Sequence, residues 1–166
     1  NGNTPQGIFK MFGFAVSKGA ALGPTTNIQM VLPYERSSDV HDSVTRSLGD
    51  AYKSLLPPSW QQYYPIFEAW YAGKAGRTEI IAHGTTVNPE YYKNKPYYPY
   101  TPTQGCLCTN EAWSLVDGRR IKSDQQKLVN AVKAAGGANG YVVVIEIDDK
   151  QKAVSLADIL PYLDQK

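Results

Sequence analysis

The chain has 166 residues, of which 42% are hydrophobic and 19% are charged, with a formal net charge of +2. This length suits one globular domain and excludes a multidomain machine. The longest apolar cluster, Tyr141 to Ile145, is far shorter than the roughly 18 residues that a membrane-spanning helix needs. Basic and acidic residues are interspersed along the chain, so there is no basic stripe to follow a nucleic-acid backbone. We therefore expect neither a membrane span nor a nucleic-acid partner.

Two residue counts bear on function. Tyrosine occurs 12 times, together with 11 prolines and 14 glycines. Because a phenol ring packs like an apolar group and still offers a hydroxyl, this composition favours shaped loops that bind by stacking and hydrogen bonding. The two cysteines, Cys106 and Cys108, are too few for a disulfide framework and too close for an unstrained bridge. At least one thiol is therefore expected to stay outside a disulfide.

Hydrophobic periodicity and turn residues predict a single domain over 1–166 that is mainly β with peripheral helices, an α+β arrangement. Ser123 with Gln126 three residues later is typical of a helix N-terminus, and Pro161 is expected to end the last helix. A helical insertion is predicted over 37–75. The elements in chain order are strands at 8–12 and 27–32, helices at 38–52 and at 60–71, the latter interrupted by Pro65, a strand at 77–82, a helix at 123–135, a strand at 141–147 and a helix at 155–160.

The strand at 77–82 is expected to present His83, Gly84 and Thr85 at its end, a rigid place for chemistry. Residues 86–104 follow as a long loop rich in proline and tyrosine, and loops of this length in compact domains are usually functional. We interpret it as a lid over an active site; packing of its rings on the domain surface is the alternative. The tyrosines of this loop are Tyr91, Tyr92, Tyr97, Tyr98 and Tyr100.

His83 and Cys106 are the strongest candidates for catalysis. A thiol is a useful nucleophile only as the thiolate, and a histidine within hydrogen-bond reach favours that form. Gly105 leaves room for a substrate carbonyl beside Cys106, and backbone N–H groups there are candidates for stabilising an oxyanion. Composition alone also allows the plainer interpretation that Cys106 is a small buried hydrophobic residue and His83 a satisfied structural one.

The sequence disfavours two other sites. The second histidine, His41, lies beside Asp39 and Asp42 in the predicted insertion and is interpreted as an exposed helix residue. A zinc site made of His83, Cys106 and Cys108 lacks the usual paired ligand spacing. We therefore predict no metal and no cofactor.

Three separated blocks of the sequence resemble landmarks of L,D-transpeptidase catalytic domains of the YkuD type. They are Thr4-Pro5-Gln6-Gly7-Ile8-Phe9, Glu79-Ile80-Ile81-Ala82-His83-Gly84-Thr85 and Thr103-Gln104-Gly105-Cys106-Leu107. The resemblance implies an antiparallel β-sandwich of the L,D-transpeptidase type. It also suggests that N-terminal strands precede the first block in a parent protein, and that residues 37–75 are a specificity cap. An export signal is expected to have been removed, since the chain begins at Asn1.

The resemblance also implies a mechanism. Cys106 would attack the carbonyl between positions three and four of a peptidoglycan stem peptide and release D-Ala, leaving a thioester. His83 would move the proton, with its other ring nitrogen held by the Gly84 carbonyl, and the N–H groups of Gly105 and Cys106 would bind the oxyanion. An amine would complete a crosslink, whereas water would give an L,D-carboxypeptidase. The same resemblance implies carbapenem-type β-lactams as covalent inhibitors.

Substrate contacts are assigned by the same resemblance and by the composition of the loop. They are Thr85, Thr103, Gln104, Cys108, Tyr91, Tyr92, Tyr97, Tyr98 and Tyr100. The implied location is the cell envelope, periplasmic or secreted, and the oligomeric state is left open.

The sequence departs from the family at two positions, and rival functions remain. Gln104 stands where many members have a second histidine, and Cys108 stands where an asparagine or arginine is common. One rival is a non-catalytic peptidoglycan-binding module on the same scaffold. Another is a different cell-wall cysteine peptidase, although His83 precedes Cys106 in the chain, the reverse of the order in NlpC-type enzymes.

Overall fold

A computed structural model describes residues 3–16, 25–34, 49–78, 80–86, 105–114, 116–117, 119–148 and 154–163. Its strands are β1 (Gly7–Val16), β2 (Thr26–Val31), β3 (Ala82–Thr86), β4 (Leu107–Trp113), β5 (Arg120–Ser123) and β6 (Tyr141–Val144). The helices are α1 (residues 49–54), α2 (Glu68–Lys74), α3 (Asp124–Ala134) and α4 (Leu156–Leu163), with short 3-10 turns at Pro58–Trp60 and Tyr64–Phe67. No helix in these ranges is both long and apolar enough to cross a bilayer.

The strands form one six-stranded sheet in the order β5-β4-β3-β2-β1-β6. All neighbouring pairs are antiparallel except β3 and β4, which run parallel. The prediction of an α+β fold with a mainly antiparallel sheet is therefore confirmed. The described strands belong to this single sheet, so the expected sandwich is not confirmed.

Helix α3 packs across β2, β3 and β4. Its buried Val129 joins Phe9, Ile28 and Ala82 in the larger hydrophobic core. The Ser123 side chain accepts a hydrogen bond of 2.8 Å from the Gln126 N–H, which satisfies one of the otherwise unpaired donors at the start of the helix. The helix predicted over 123–135 is thus confirmed, including its cap.

The segment after α1 packs on β1 through a second core. Ile8 lies there with Tyr52, Leu56 and Ile66, whereas its neighbour Phe9 belongs to the first core. Adjacent residues of a strand project to opposite faces, which explains the division. The Tyr52 hydroxyl accepts from the Ile8 N–H at 3.0 Å and donates to the Ile66 carbonyl at 2.6 Å.

The Thr4-Pro5-Gln6-Gly7 block anchors α2. The Gln6 carbonyl accepts from the Ala69 N–H at 2.8 Å, and the Gln6 N–H donates to a Glu68 carboxylate oxygen at 3.0 Å. A Cβ on Gly7 would collide with the Ala69 side chain. Glycine at this position therefore allows the helix to approach the strand closely.

Several predicted boundaries are wrong for identifiable reasons. The helix predicted over 60–71 is interrupted at Pro65 as expected, but its α-helical part is Glu68–Lys74, and a 3-10 turn at Tyr64–Phe67 that contains Pro65 precedes it. The strand predicted over 141–147 ends at Val144. Pro161 lies inside α4 and does not end it. The predicted helix over 38–52 falls mostly outside the described residues, which include only its last part in α1.

The strands β4 and β5 were not predicted, because their sequences are polar. Thr109, Asn110 and Glu111 interrupt the apolar pattern that marks a strand. Glu111 is nevertheless 1% exposed. Pairing with β3 and β5 explains why this segment is extended despite its composition.

Replacing Tyr52 with phenylalanine tests the link between β1 and the helical segment. The Tyr52→Phe variant leaves the Ile8 N–H and the Ile66 carbonyl without this partner, so we expect a loss of about 1–3 kcal/mol in the free energy of unfolding. Urea unfolding of the purified protein measures it. Tyr64→Phe is the matched control because Tyr64 is 84% exposed, and it should change stability by less than about 0.5 kcal/mol. Equal losses in the two variants would contradict the role of Tyr52.

Tyr52 should also make the free energy of unfolding depend on pH in the alkaline range. Burial raises the pKa of Tyr52 above its ordinary value of 10.0, against a smaller lowering by the hydrogen bond from Ile8. A raised folded pKa means that the stabilisation is complete below about pH 10 and is lost as pH rises above it. Stability measured between pH 9 and about pH 11 should therefore fall more steeply for the parent than for Tyr52→Phe. Parallel curves would contradict the prediction.

Candidate functional site

Two sequence blocks that are far apart in the chain meet where β3 and β4 pair in parallel. The register places Ala82 beside Leu107 and His83 beside Cys108. Ala82 and Leu107 pack with the α3 core, so His83 and Cys108, their neighbours in sequence, project from the opposite face of the sheet. The histidine and the cysteine segment are thus brought together, as the sequence suggested.

His83 lies within β3, not after its end. β3 runs from Ala82 to Thr86, so the strand predicted over 77–82 begins later and extends further than expected. The imidazole is 2% exposed. A strand with neighbours on both sides holds the ring more firmly than the predicted strand end would have done.

The hydrogen bonds of the His83 ring define which nitrogen can act as a base. Nδ1 lies 3.0 Å from the Gly84 carbonyl oxygen, the carbonyl that the family resemblance implies as the partner of one ring nitrogen. A carbonyl oxygen only accepts hydrogen bonds, so in the neutral ring Nδ1 carries the proton and Nε2 keeps the lone pair. Nε2 lies 3.5 Å from the Cys108 sulfur, while Nδ1 is 3.9 Å from it.

The two cysteines differ in exposure. Neither forms a disulfide; Cys106 is half-buried and Cys108 is exposed. Gly105, directly before Cys106, is buried and has a φ of 114°, a conformation that side-chain-bearing residues rarely adopt. The Leu107 N–H donates to the Ile81 carbonyl at 3.0 Å, which ties the cysteine segment to the chain before β3.

Gly84 is required by close packing. A Cβ at this position would collide with the side chain of Glu111, which lies across the backbone of β3 on the α3 side. One Glu111 carboxylate oxygen accepts a hydrogen bond from the Ser123 hydroxyl. The other oxygen, Oε2, is buried and has no hydrogen-bond partner within the described ranges. The residue that holds the histidine ring therefore has a carboxylate directly behind it.

Gln125 joins the three strands that surround the site. Its side-chain nitrogen donates to the carbonyls of Thr26 in β2, at 2.8 Å, and Ala82 in β3, at 3.0 Å. Its oxygen accepts from the Thr109 hydroxyl of β4 at 2.6 Å. That hydroxyl also lies 3.4 Å from the His83 carbonyl oxygen. One buried carboxamide therefore fixes the position of His83 relative to both flanking strands.

Two buried polar residues, Thr25 and Asn27, lie at the start of β2. Ile28 pairs with Ala82 and packs in the α3 core, so Asn27 projects from the same face of the sheet as His83. Both Thr25 and Asn27 are buried, and Thr25 Oγ1 and Asn27 Oδ1 have no hydrogen-bond partner in the described part of the chain. Buried polar atoms without partners are rare and call for an explanation.

These polar residues were not predicted from the sequence. Glu111, Gln125, Thr25 and Asn27 are of types that are usually exposed, and no short motif marks them. For Gln125 the sequence predicts only its place in the first turn of a helix, because it lies two residues after the predicted cap Ser123. The direction of its side chain depends on how α3 packs, which the sequence does not show.

Other predicted site residues fall outside the described ranges. These are Thr103, Gln104, Tyr91, Tyr92, Tyr97, Tyr98 and Tyr100, and for Thr85 only the backbone, within β3, is described. His41 also lies outside them. Among the residues that are described, no cluster of three or more histidine, cysteine or acidic side chains is arranged to bind a metal ion.

Alanine at Gly84 tests the packing behind the histidine. The new methyl group must displace the buried Glu111 side chain, so Gly84→Ala should lower the free energy of unfolding by about 1–3 kcal/mol. Chemical denaturation measures it, with Gly140→Ala as the control, because a Cβ there would meet Met11 Cε at an ordinary 3.7 Å. The loss should shrink in a Glu111→Ala background. An additive double variant would argue against the contact.

Comparison with known proteins identifies no relative of this chain: no family model, no curated protein and no solved structure matches it.

Proposed function

We propose that this protein is a peptidoglycan L,D-transpeptidase that uses Cys106 as its nucleophile and His83 as its base. The observation that carries the proposal is the parallel pairing of β3 and β4. It brings the His83-Gly84 block and the Gly105-Cys106 block, which resemble the landmarks of that family, into adjacent segments. The L,D-transpeptidase type of fold, including a second sheet, is part of this proposal.

The protonation state of the imidazole supports its role as a base. The Gly84 carbonyl keeps the proton on Nδ1, so Nε2 can accept the proton of a thiol. When Nε2 has taken it, the Nδ1 proton is still donated to the same carbonyl. The ring therefore keeps its orientation while the proton moves.

The proposed acylation step uses Nε2 as the base. Cys106 gives its proton to His83 Nε2, and the sulfur attacks the carbonyl carbon between positions three and four of the donor stem peptide. The N–H groups of Gly105 and Cys106 are the candidates for stabilising the oxyanion; that of Leu107 is already used by Ile81. The C–N bond then breaks, the proton passes from Nε2 to the departing amine of D-Ala, and a thioester remains.

The second step determines the product. An amine from another stem peptide attacks the thioester, loses a proton to His83 and restores the Cys106 thiol, which yields a crosslink. Water in its place yields an L,D-carboxypeptidase. The tyrosine-rich loop over 86–104, which the sequence predicts as a lid, lies outside the described residues apart from Thr86. We place the protein in the cell envelope, where its substrate occurs.

The helical segment is proposed as a specificity cap. Its described part is held on β1 by Tyr52 and by the contacts of Gln6 with Glu68 and Ala69. Tyr63 also donates to the Gln6 side-chain oxygen at 3.0 Å. Several hydrogen bonds thus fix this segment to the sheet that carries His83, as a cap of defined orientation would require.

Release of D-Ala from a purified tetrapeptide muropeptide tests the function. The His83→Gln variant should release D-Ala at least about 100-fold more slowly, since loss of a general base typically costs that much. Cys106→Ser should release it far more slowly than the parent, and Cys106→Ser/Cys108→Ser should release none. The other histidine provides the control, because His41→Gln should retain the parent rate. Incubation of the parent with a carbapenem should give a stoichiometric adduct in the intact mass.

Each rival function has its own result in that assay. Binding of muropeptide without release of D-Ala or formation of a carbapenem adduct would indicate a binding module. Cleavage at a different bond would indicate another cysteine peptidase. Either result would overturn the transpeptidase proposal.

A further inference from the structure

The segment that leads into β4 carries two thiols, Cys106 and Cys108. Cys108 lies within β4, and Cys106 directly precedes the first residue of that strand, Leu107. The strand register pairs Cys108 with His83. The proposed function uses only Cys106 in the reaction and gives Cys108 no chemical step.

Cys108 has the contact that activates a thiol. The strand register pairs it directly with His83, and its sulfur lies 3.5 Å from Nε2. Since the Gly84 carbonyl holds the proton on Nδ1, Nε2 is the nitrogen with a lone pair, and it can accept the Cys108 proton. A thiol next to a histidine is the arrangement that raises the thiolate population at neutral pH.

His83 and Cys108 differ in their exposure to solvent. The imidazole is 2% exposed, whereas Cys108 is exposed. A buried base with an exposed thiol lets an electrophile reach the sulfur while the ring stays shielded. The same exposure would leave Cys108 open to substrate.

The geometry points to Cys108 as a second nucleophilic thiol, served by His83 and reactive toward acyl donors without any help from Cys106. The activation rests on the His83 contact alone, whereas peptidoglycan as the natural acyl donor rests on the proposed function. One imidazole takes one proton at a time, so the two thiols compete for the same base and are not activated together.

The reaction of Cys108 is a simple acyl transfer. Its S–H proton moves to His83 Nε2, and the sulfur attacks the carbonyl carbon of the acyl donor to form a tetrahedral intermediate. With p-nitrophenyl acetate as the probe, the bond to the nitrophenyl oxygen breaks. Nitrophenolate leaves, the imidazolium proton is released to solvent, and an acetyl thioester remains on Cys108. No oxidant or cofactor is needed.

Alkylation of single-cysteine variants tests the activation. In Cys106→Ser, where only Cys108 remains, iodoacetamide should react at pH 7 at least about tenfold faster than in Cys106→Ser/His83→Gln, because an ordinary thiol with a pKa of about 8.5 is mostly protonated there. Cys106→Ser/His41→Gln is the matched control and should react like Cys106→Ser. Cys106→Ala provides a second background should serine perturb the site.

Acylation with p-nitrophenyl acetate tests the chemistry. Peptide mapping of the Cys106→Ser protein should locate one acetyl group on Cys108, and Cys106→Ser/Cys108→Ser should carry none in this segment. Circular dichroism confirms that each variant is folded. Equal alkylation rates with and without His83, or no acetyl group on Cys108 in a folded Cys106→Ser protein, would overturn the proposal.

The outcomes are independent of the peptidoglycan assay. If the parent releases no D-Ala but Cys108 still depends on His83 for its reactivity, the proposed function fails and this inference stands. If D-Ala is released and Cys108 reacts like an ordinary thiol, the inference fails and the function stands.

Discussion

The carboxamide of Gln125 is the contact on which the arrangement of the site depends. Its nitrogen donates to main-chain carbonyls of β2 and β3, and its oxygen accepts from the Thr109 hydroxyl of β4. Because the group is buried, each of these bonds lies where an unmade bond would be costly. The amide thereby holds three strands in one register. His83, Cys108 and Asn27 project from the other side of those strands, so their spacing is set by a residue that contacts none of their side chains.

A second polar layer surrounds this contact. The Ser123 hydroxyl caps α3 and also donates to Glu111, and Glu111 occupies the space that a side chain at Gly84 would need. The start of α3, the middle of β4 and the backbone that holds the histidine ring are therefore packed as one unit. A carboxylate in this position is expensive to bury unless it is hydrogen-bonded. These polar side chains stabilise the fold less than apolar ones would at the same positions, but their hydrogen bonds define the geometry behind the imidazole.

Sequence patterns predicted the parts of the fold that follow from local chemistry. Ser123 and Gln126 identified the start of α3, and branched residues identified β1 and β2, because capping and hydrophobic periodicity act over a few residues. β4 was missed because its buried positions are polar, and polar residues indicate burial only when their partners are known. The predicted position of His83, just after a strand, was wrong for a related reason. Pairing with β4, not local propensity, determines where β3 begins and ends.

The sequence by itself determined the chemical inventory of the site: one histidine followed by a glycine, a glycine followed by a cysteine, and a second cysteine two residues later. Side-chain identity fixes which groups can carry a proton or attack a carbonyl, so the Cys–His hypothesis needed no coordinates. Only the tertiary structure decided which atoms face each other. It gave Nδ1 to the Gly84 carbonyl and set Nε2 against the Cys108 sulfur, since strand register and buried hydrogen bonds between distant segments are properties of packing.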